Sequence, residues 1–204
     1  MKIIAIANTY PAYNKTACPA FDRTGEPIVF SHADSALLKD GKPFFIPEFA
    51  EPCTCQVELV VRISRLGKSI PERFASRYYD GVTVGIAFTA QGLLGRFRRE
   101  GLPWDLATGF DGAAAVGNFV PAEGRDLRDL HFCLHAGDAE VQRGWSGDMR
   151  WNVDRLIAHV SRFYTIRQGD LLFTGAPVVA SPALIGDRLE AYLDGEKLLT
   201  IKVK

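Results

Sequence analysis

Residues 55–63 read Cys55-Gln56-Val57-Glu58-Leu59-Val60-Val61-Arg62-Ile63, and their alternation is the pattern from which the rest of the chain is read. Along a strand every second side chain points the same way, so Val57, Leu59, Val61 and Ile63 share one face and Gln56, Glu58, Val60 and Arg62 the other. Gln56 and Glu58 are therefore neighbours on one side of one strand. Two carboxylates at that spacing hold a hard cation such as Mg²⁺ or Mn²⁺, which takes oxygen ligands. Here one member of the pair is a neutral amide.

Outward from this strand, composition sets the class. A chain of 204 residues, 47% hydrophobic and 24% charged, has enough apolar surface for one domain spanning 1–204. The formal net charge is zero and the pI near 6.9, which argues against nucleic acid or a membrane surface as partner. No apolar run approaches the roughly 20 residues of a membrane span, and Met1–Asn8 turns polar too soon for a signal sequence, so the expected location is cytoplasmic. Four cysteines without a secretory signal favour free thiols. A zinc reading would recruit Cys53 and Cys55 with His131, Cys133 and His135, the last three on one strand face. The chain lacks a second pair at zinc-finger spacing, and a solvated face opposite Leu130, Phe132 and Leu134 is the plainer reading.

Patterning places the other elements. Lys2–Ile6, Ile28–Phe30, Phe44–Ile46, Val82–Phe88, Ala114–Pro121, Leu130–His135, Ala139–Gln142, Leu171–Phe173, Arg188–Leu193 and Leu198–Val203 read as strands, with a loop over Pro11–Pro27 and a turn at Lys39-Asp40-Gly41-Lys42. Ser69–Tyr79 reads as a short helix. Thr89–Glu100 reads as an amphipathic one, with Leu93, Leu94 and Phe97 inside and Arg96, Arg98 and Arg99 in solvent. Asn152–Tyr164 carries an apolar stripe of Val153, Leu156, Ile157, Val160 and Phe163, with His159 on the polar side. The sum is a mostly β, mixed α+β fold of many short strands and a few short helices, in which residues 1–30 contribute a loop and strand to the site.

The order of these pieces resembles the fumarylacetoacetate hydrolase family over nearly the whole chain. The resemblance is carried by Asp34–Leu37 followed by Pro43–Pro47, by Val57-Glu58-Leu59-Val60, by Gly101-Leu102-Pro103-Trp104 leading to Gly109-Phe110-Asp111-Gly112, and by a carboxy-terminal signature. That signature runs from Gln142-Arg143-Gly144 through Asp148-Met149 to Gln168-Gly169-Asp170, Thr174-Gly175-Ala176-Pro177 and Gly186-Asp187.

The resemblance implies hydrolases, decarboxylases or isomerases of small dicarbonyl acids, in which Mg²⁺ or Mn²⁺ is held by a Glu-x-Glu pair and an aspartate while a His-x-x-Glu loop activates water. On this chain those positions fall on Gln56, Glu58 and Ala87, on Gln91-Gly92 for an Arg-Asp pair, and on Asn8, Tyr13 and Thr16 in the amino-terminal loop. Lysine positions fall on His32 and Thr108, and a threonine position on Ala176. One carboxylate brings about a third of the charge of three, too little to hold Mg²⁺. The expectation is accordingly a catalytically silent family member without cofactor, with vestigial metal positions at Gln56, Glu58 and Ala87. It would be a homodimer, or the companion of an active paralogue, and keep a small polar or oxo-acid pocket of Asn8, Tyr13, His32, Gln56, Glu58, Gln91 and Thr108. The alternative is an active hydrolase, or a metal-independent oxo-acid tautomerase in which Glu58 works with Tyr13 or His32.

Overall fold

The structure, a computed structural model, describes residues 1–11, 25–38 and 41–204. Tyr13, Thr16, most of the expected Pro11–Pro27 loop and the start of the Lys39-Asp40 turn lie outside the described residues. The chain begins with strand β1 (Ile3–Ile6), β2 (Val29–His32) and the two-residue β3 (Leu37–Leu38), then the long β4 (Cys53–Ile63) and β5 (Tyr79–Ala90). Helices α1 (Gln91–Glu100) and α2 (Asp105–Thr108) follow, then β6 (Ala114–Val116) and β7 (Val120–Pro121). The hairpin β8 (His131–Ala136) and β9 (Ala139–Trp145) precedes α3 (Val153–Phe163). Strands β10 (Leu171–Phe173), β11 (Ser181–Pro182), β12 (Arg188–Leu193) and β13 (Glu196–Lys202) close the fold.

Among the described residues the larger sheet runs β2-β1-β10-β4-β5-β6-β3, with β11 on β4 and β7 on β5, while the smaller runs β13-β12-β8-β9. The β1–β10 and β3–β6 pairs are parallel, and the other pairings are antiparallel. The alternation of β4 decides its two environments. Cys55, Val57, Leu59, Val61 and Ile63 enter the main core together with Val82, Val84 and Ile86 of β5, Phe132 and Leu134 of β8, Leu189 and Ala191 of β12, and the buried face of α3. On its reverse face Val60 joins a second cluster with Ile3, Ala5, Leu171 and Phe173. Strand β4 is therefore covered on both sides, and Glu58 beside Val60 is buried rather than presented to solvent.

Several local expectations change. Phe44–Ile46 forms no strand; Phe44 makes a single bridge to Val203 and stacks its ring on Phe88, centroids 3.7 Å apart, so packing rather than a ladder holds it. Ser69–Tyr79 becomes a 3-10 helix over the seven residues Glu72–Tyr78, entered from Pro71 without a side-chain cap. Thr89 and Ala90 end β5 instead of starting a helix. In α3, Asn152 caps the first turn by accepting from Arg155 N at 2.8 Å. Phe163 is 58% exposed at the last turn, whereas His159 is only 8% exposed. The stripe is centred on Val153, Leu156, Ile157 and Val160, and Ser161 completes it because its hydroxyl accepts from Ile70 N at 2.8 Å. No described helix is long and apolar enough to cross a membrane.

Candidate active site

Gln56 and Glu58 project from the face of β4 opposite the main core, and across the ladder they meet Ala87 and Gly85 of β5. Helices α1 and α2 pack against β5, α1 also against β4 and α2 against β2. Between these elements lies a cleft of about 70 Å³ with Glu58, Gln56, His32, Thr108, Arg98 and Trp104 in its wall, and Phe30 and Phe173 as apolar sides.

Glu58 is the centre. Oε2 accepts the Gly175 N–H at 2.8 Å, and burial pushes the carboxyl up to about 7 even though that hydrogen bond favours the charged form. Gly175 makes the bond with φ +100, and a Cβ there would lie 2.8 Å from the Ile6 carbonyl oxygen, so only glycine aims this N–H without displacing backbone. Gln56 donates from Nε2 to the Val178 carbonyl at 3.0 Å, which fixes the amide along the rim. His32 is half-buried in the wall; desolvation lowers its imidazole to about 4, against a smaller opposing influence of Asp105. It is a neutral ring at physiological pH, and its Nδ1 is buried with no hydrogen-bond partner among the described residues. Thr108 donates to the Trp104 carbonyl at 3.3 Å, tying α2 to the cleft.

Two expected site residues are elsewhere. Asn8 is fully buried but serves the backbone, accepting from Ile28 N at 2.7 Å and donating to the Glu26 carbonyl at 3.1 Å, so it clamps the return of the amino-terminal loop. Gln91 opens α1 on the exposed side, its N–H bonded to the Pro52 carbonyl. Tyr13 lies outside the described residues; among the described residues, Tyr10 has a hydroxyl that feels the Glu58 charge. Burial, then Glu58 and Asp148, raise that phenol above its ordinary range, and its hydroxyl is buried without a hydrogen-bond partner among the described residues. Asp80, at the start of β5, is exposed and pairs with Arg62 at 2.8 Å.

Arg98 is the residue that sequence reasoning missed. It reads as a solvated helix position, yet it is half-buried in the cleft wall with its guanidinium carbon 5.0 Å from the Trp104 ring centroid, while Arg96 and Arg99 remain exposed. The signal was present. Arg98 stands four residues after the buried Leu94, which puts both on one side of α1.

A larger cleft of about 740 Å³ lies between β5, β7 and the start of α3, but arginines (65, 77, 125 and 128) and acids such as Asp80, Glu123 and Asp126 balance along it. No fully buried acid converges there, so chemistry is better sought at Glu58.

The fold is thus a strand-rich α+β domain with one buried acid in the wall of a small cleft. The family model described as fumarylacetoacetate (FAA) hydrolase, C-terminal, matches residues 2–203, and the chain belongs to that family. It is 32% identical over 180 residues, 88% of this chain and 81% of that one, to the Mus musculus protein named oxaloacetate tautomerase FAHD1, mitochondrial. To the Escherichia coli protein named oxaloacetate tautomerase YcgM it is 28% identical over 201 residues, covering 98% and 91% of the two chains. The crystal structure of fumarylpyruvate hydrolase from Pseudomonas aeruginosa in complex with Mn²⁺ and pyruvate superposes with a TM-score of 0.91 at 26% identity, over 100% of this chain and 89% of that one.

These findings correct two expectations. The reading of the chain as catalytically silent is overturned, because the relatives it resembles are named as enzymes. That reading rests on the substituted family positions and takes Arg98 as a solvated helix residue. The expectation of no cofactor is overturned as well: a relative holds Mn²⁺, and this chain brings Cys133, His135 and Glu140 together on its smaller sheet. At the Glu58 centre the donor set is one carboxylate, one amide oxygen and the methyl of Ala87, which does not match the carboxylate-rich set the resemblance implies for a dication.

Proposed function

We propose that this protein is a keto–enol tautomerase of small oxo-dicarboxylic acids, with Glu58 moving the proton. The observation that carries the reading is a fully buried carboxyl, poised near 7, in the wall of a cleft. The tautomerase names of relatives about 30% identical support it. In the keto-to-enol direction, ionised Glu58 takes a proton from the carbon next to the ketone; that C–H bond breaks, a C=C bond forms, and the carbonyl oxygen becomes an enolate. Protonated Glu58 then returns the proton to that oxygen, and the reverse direction retraces the steps. Gly175 holds Oε2, which leaves Oε1 as the oxygen not engaged by that bond.

Arg98 supplies the positive charge that the Thr108 and His32 positions no longer carry, and would receive a substrate carboxylate with Trp104 bracing its guanidinium plane. His32, neutral above pH 4, offers a ring nitrogen to a bound oxygen rather than a charge.

The test follows the loss of enol absorbance of oxaloacetate. Glu58→Gln should lower kcat at least 100-fold. Arg98→Met should raise KM roughly tenfold or more, as expected of a lost charge-assisted contact. The wild-type kcat/KM should rise with pH through about 7 as Glu58 ionises. Equal rates for wild type and Glu58→Gln end this reading. Cleavage of an acylpyruvate by water is the second reading, favoured by the likeness to fumarylpyruvate hydrolase, and pyruvate release from such a substrate would support it instead.

A further inference from the structure

Cys133, His135 and Glu140 lie on the smaller sheet, apart from the Glu58 cleft. The alternation of β8 turns Cys133 and His135 outward from the core, and the register sets Glu140 of β9 directly opposite His135. The ligand atoms of the three all lie within 4.8 Å of one another, and His135 Nε2 is 3.8 Å from Glu140 Oε2. Tetrahedral zinc, with bonds of about 2.0–2.3 Å, separates its ligand atoms by about 3.3–3.7 Å, so small side-chain rotations would close the set. One further contact prepares it. The ring of Tyr192, which is the β12 neighbour of Cys133, packs 5.0 Å from the His135 ring.

We propose that Cys133, His135 and Glu140 form a zinc site that clamps the β8–β9 hairpin, with water as fourth ligand. Sulfur and imidazole nitrogen select Zn²⁺ over Mg²⁺ or Mn²⁺, which prefer oxygen. On binding, the Cys133 S–H bond breaks, its proton leaves to solvent, and the thiolate sulfur takes up the metal. Arg143 sets the affinity from outside. Its guanidinium grips both Glu140 oxygens, with Nε to Oε1 at 2.8 Å, and so competes with the cation for the same carboxylate. Cys53 and Cys55 take no part: both are buried on β4 of the larger sheet, where desolvation pushes their thiols up to about 11 and about 12.

The experiment titrates chelator-stripped protein with Co²⁺ and reads the thiolate-to-cobalt charge-transfer band, then displaces Co²⁺ with Zn²⁺. Wild type should show the band and a Zn²⁺-dependent rise in melting temperature. Cys133→Ser should abolish the band, His135→Ala and Glu140→Gln should each weaken Zn²⁺ at least tenfold, and Arg143→Ala should tighten it. All four side chains are at least partly exposed on the sheet, and circular dichroism checks that each variant is folded. Absence of the band in wild type, or a band undiminished in Cys133→Ser, overturns the proposal. So does unchanged Zn²⁺ affinity in both His135→Ala and Glu140→Gln.

Discussion

At the scale of single residues the site depends on what burial does to Glu58. Its carboxyl stands near 7 in the folded chain against an ordinary 4.5, so the folded state holds the proton more tightly than the unfolded state. That contribution to stability is complete below about 4.5 and is lost as pH rises through about 7. The total is roughly 3 kcal/mol, from 1.4 kcal/mol per tenfold change in proton affinity. Glu58→Gln keeps an oxygen for the Gly175 N–H and removes the ionisation. The variant should therefore lose this pH dependence and exceed wild type in stability at pH 8 by a few kcal/mol, as read from urea midpoints between pH 5 and pH 8. His32, lowered to about 4, makes both proteins gain stability over the same window, so the quantity read is the difference, wild type minus variant; a difference that does not fall from pH 5 to pH 8 contradicts the buried, raised carboxyl.

At the scale of elements, the signature Gln168-Gly169-Asp170 acquires a physical role. Gly169 has φ +84, and Asp170, 1% exposed, accepts from Lys2 N at 2.7 Å and Arg167 N at 2.8 Å while the Lys2 ammonium sits 2.6 Å away. One carboxylate thereby locks the entry of β10 to the entry of β1, the parallel pair beside β4. Asp170→Ala leaves two backbone donors without it and should cost about 3 kcal/mol, seen as a lower urea midpoint at unchanged m. Thr174 continues the join, its N–H and hydroxyl both donating to the Leu59 carbonyl one residue from Glu58. The segment that ends in Gly175 is thus held by β4 itself, which is how a motif more than a hundred residues downstream comes to aim an N–H at the acid.

At the scale of the whole molecule, large apolar side chains remain in solvent, Leu184 at 61%, Ile185 at 71% and Phe45 at 64% exposure. Leu184 and Ile185 border a shallow groove with Ile46, Pro52 and Pro182. A surface of that kind fits the homodimer that the family resemblance implies, which stands here as a proposal. Sedimentation velocity at micromolar concentration should give a dimer, and Leu184→Asp with Ile185→Lys should shift it toward monomer. A wild-type monomer counts against this assembly.

What the sequence by itself determined is local. Period-two alternation placed Val57, Leu59, Val61 and Ile63 in the core and Glu58 on the other face, put Leu130, Phe132 and Leu134 opposite His131, Cys133 and His135, and located β10 and β12 to the residue, because side-chain direction along a strand follows from the backbone alone. The tertiary structure decided whatever depends on distant chain. It turned Arg98 into the cleft, gave Asn8 to the backbone of residues 26 and 28, left Gln91 on the surface, and paired Glu140 with Cys133 and His135 across a hairpin. It also set the proton affinity of Glu58, since desolvation is a sum over every atom that displaces water, and those atoms come from β1, β5, β10 and the two helices together.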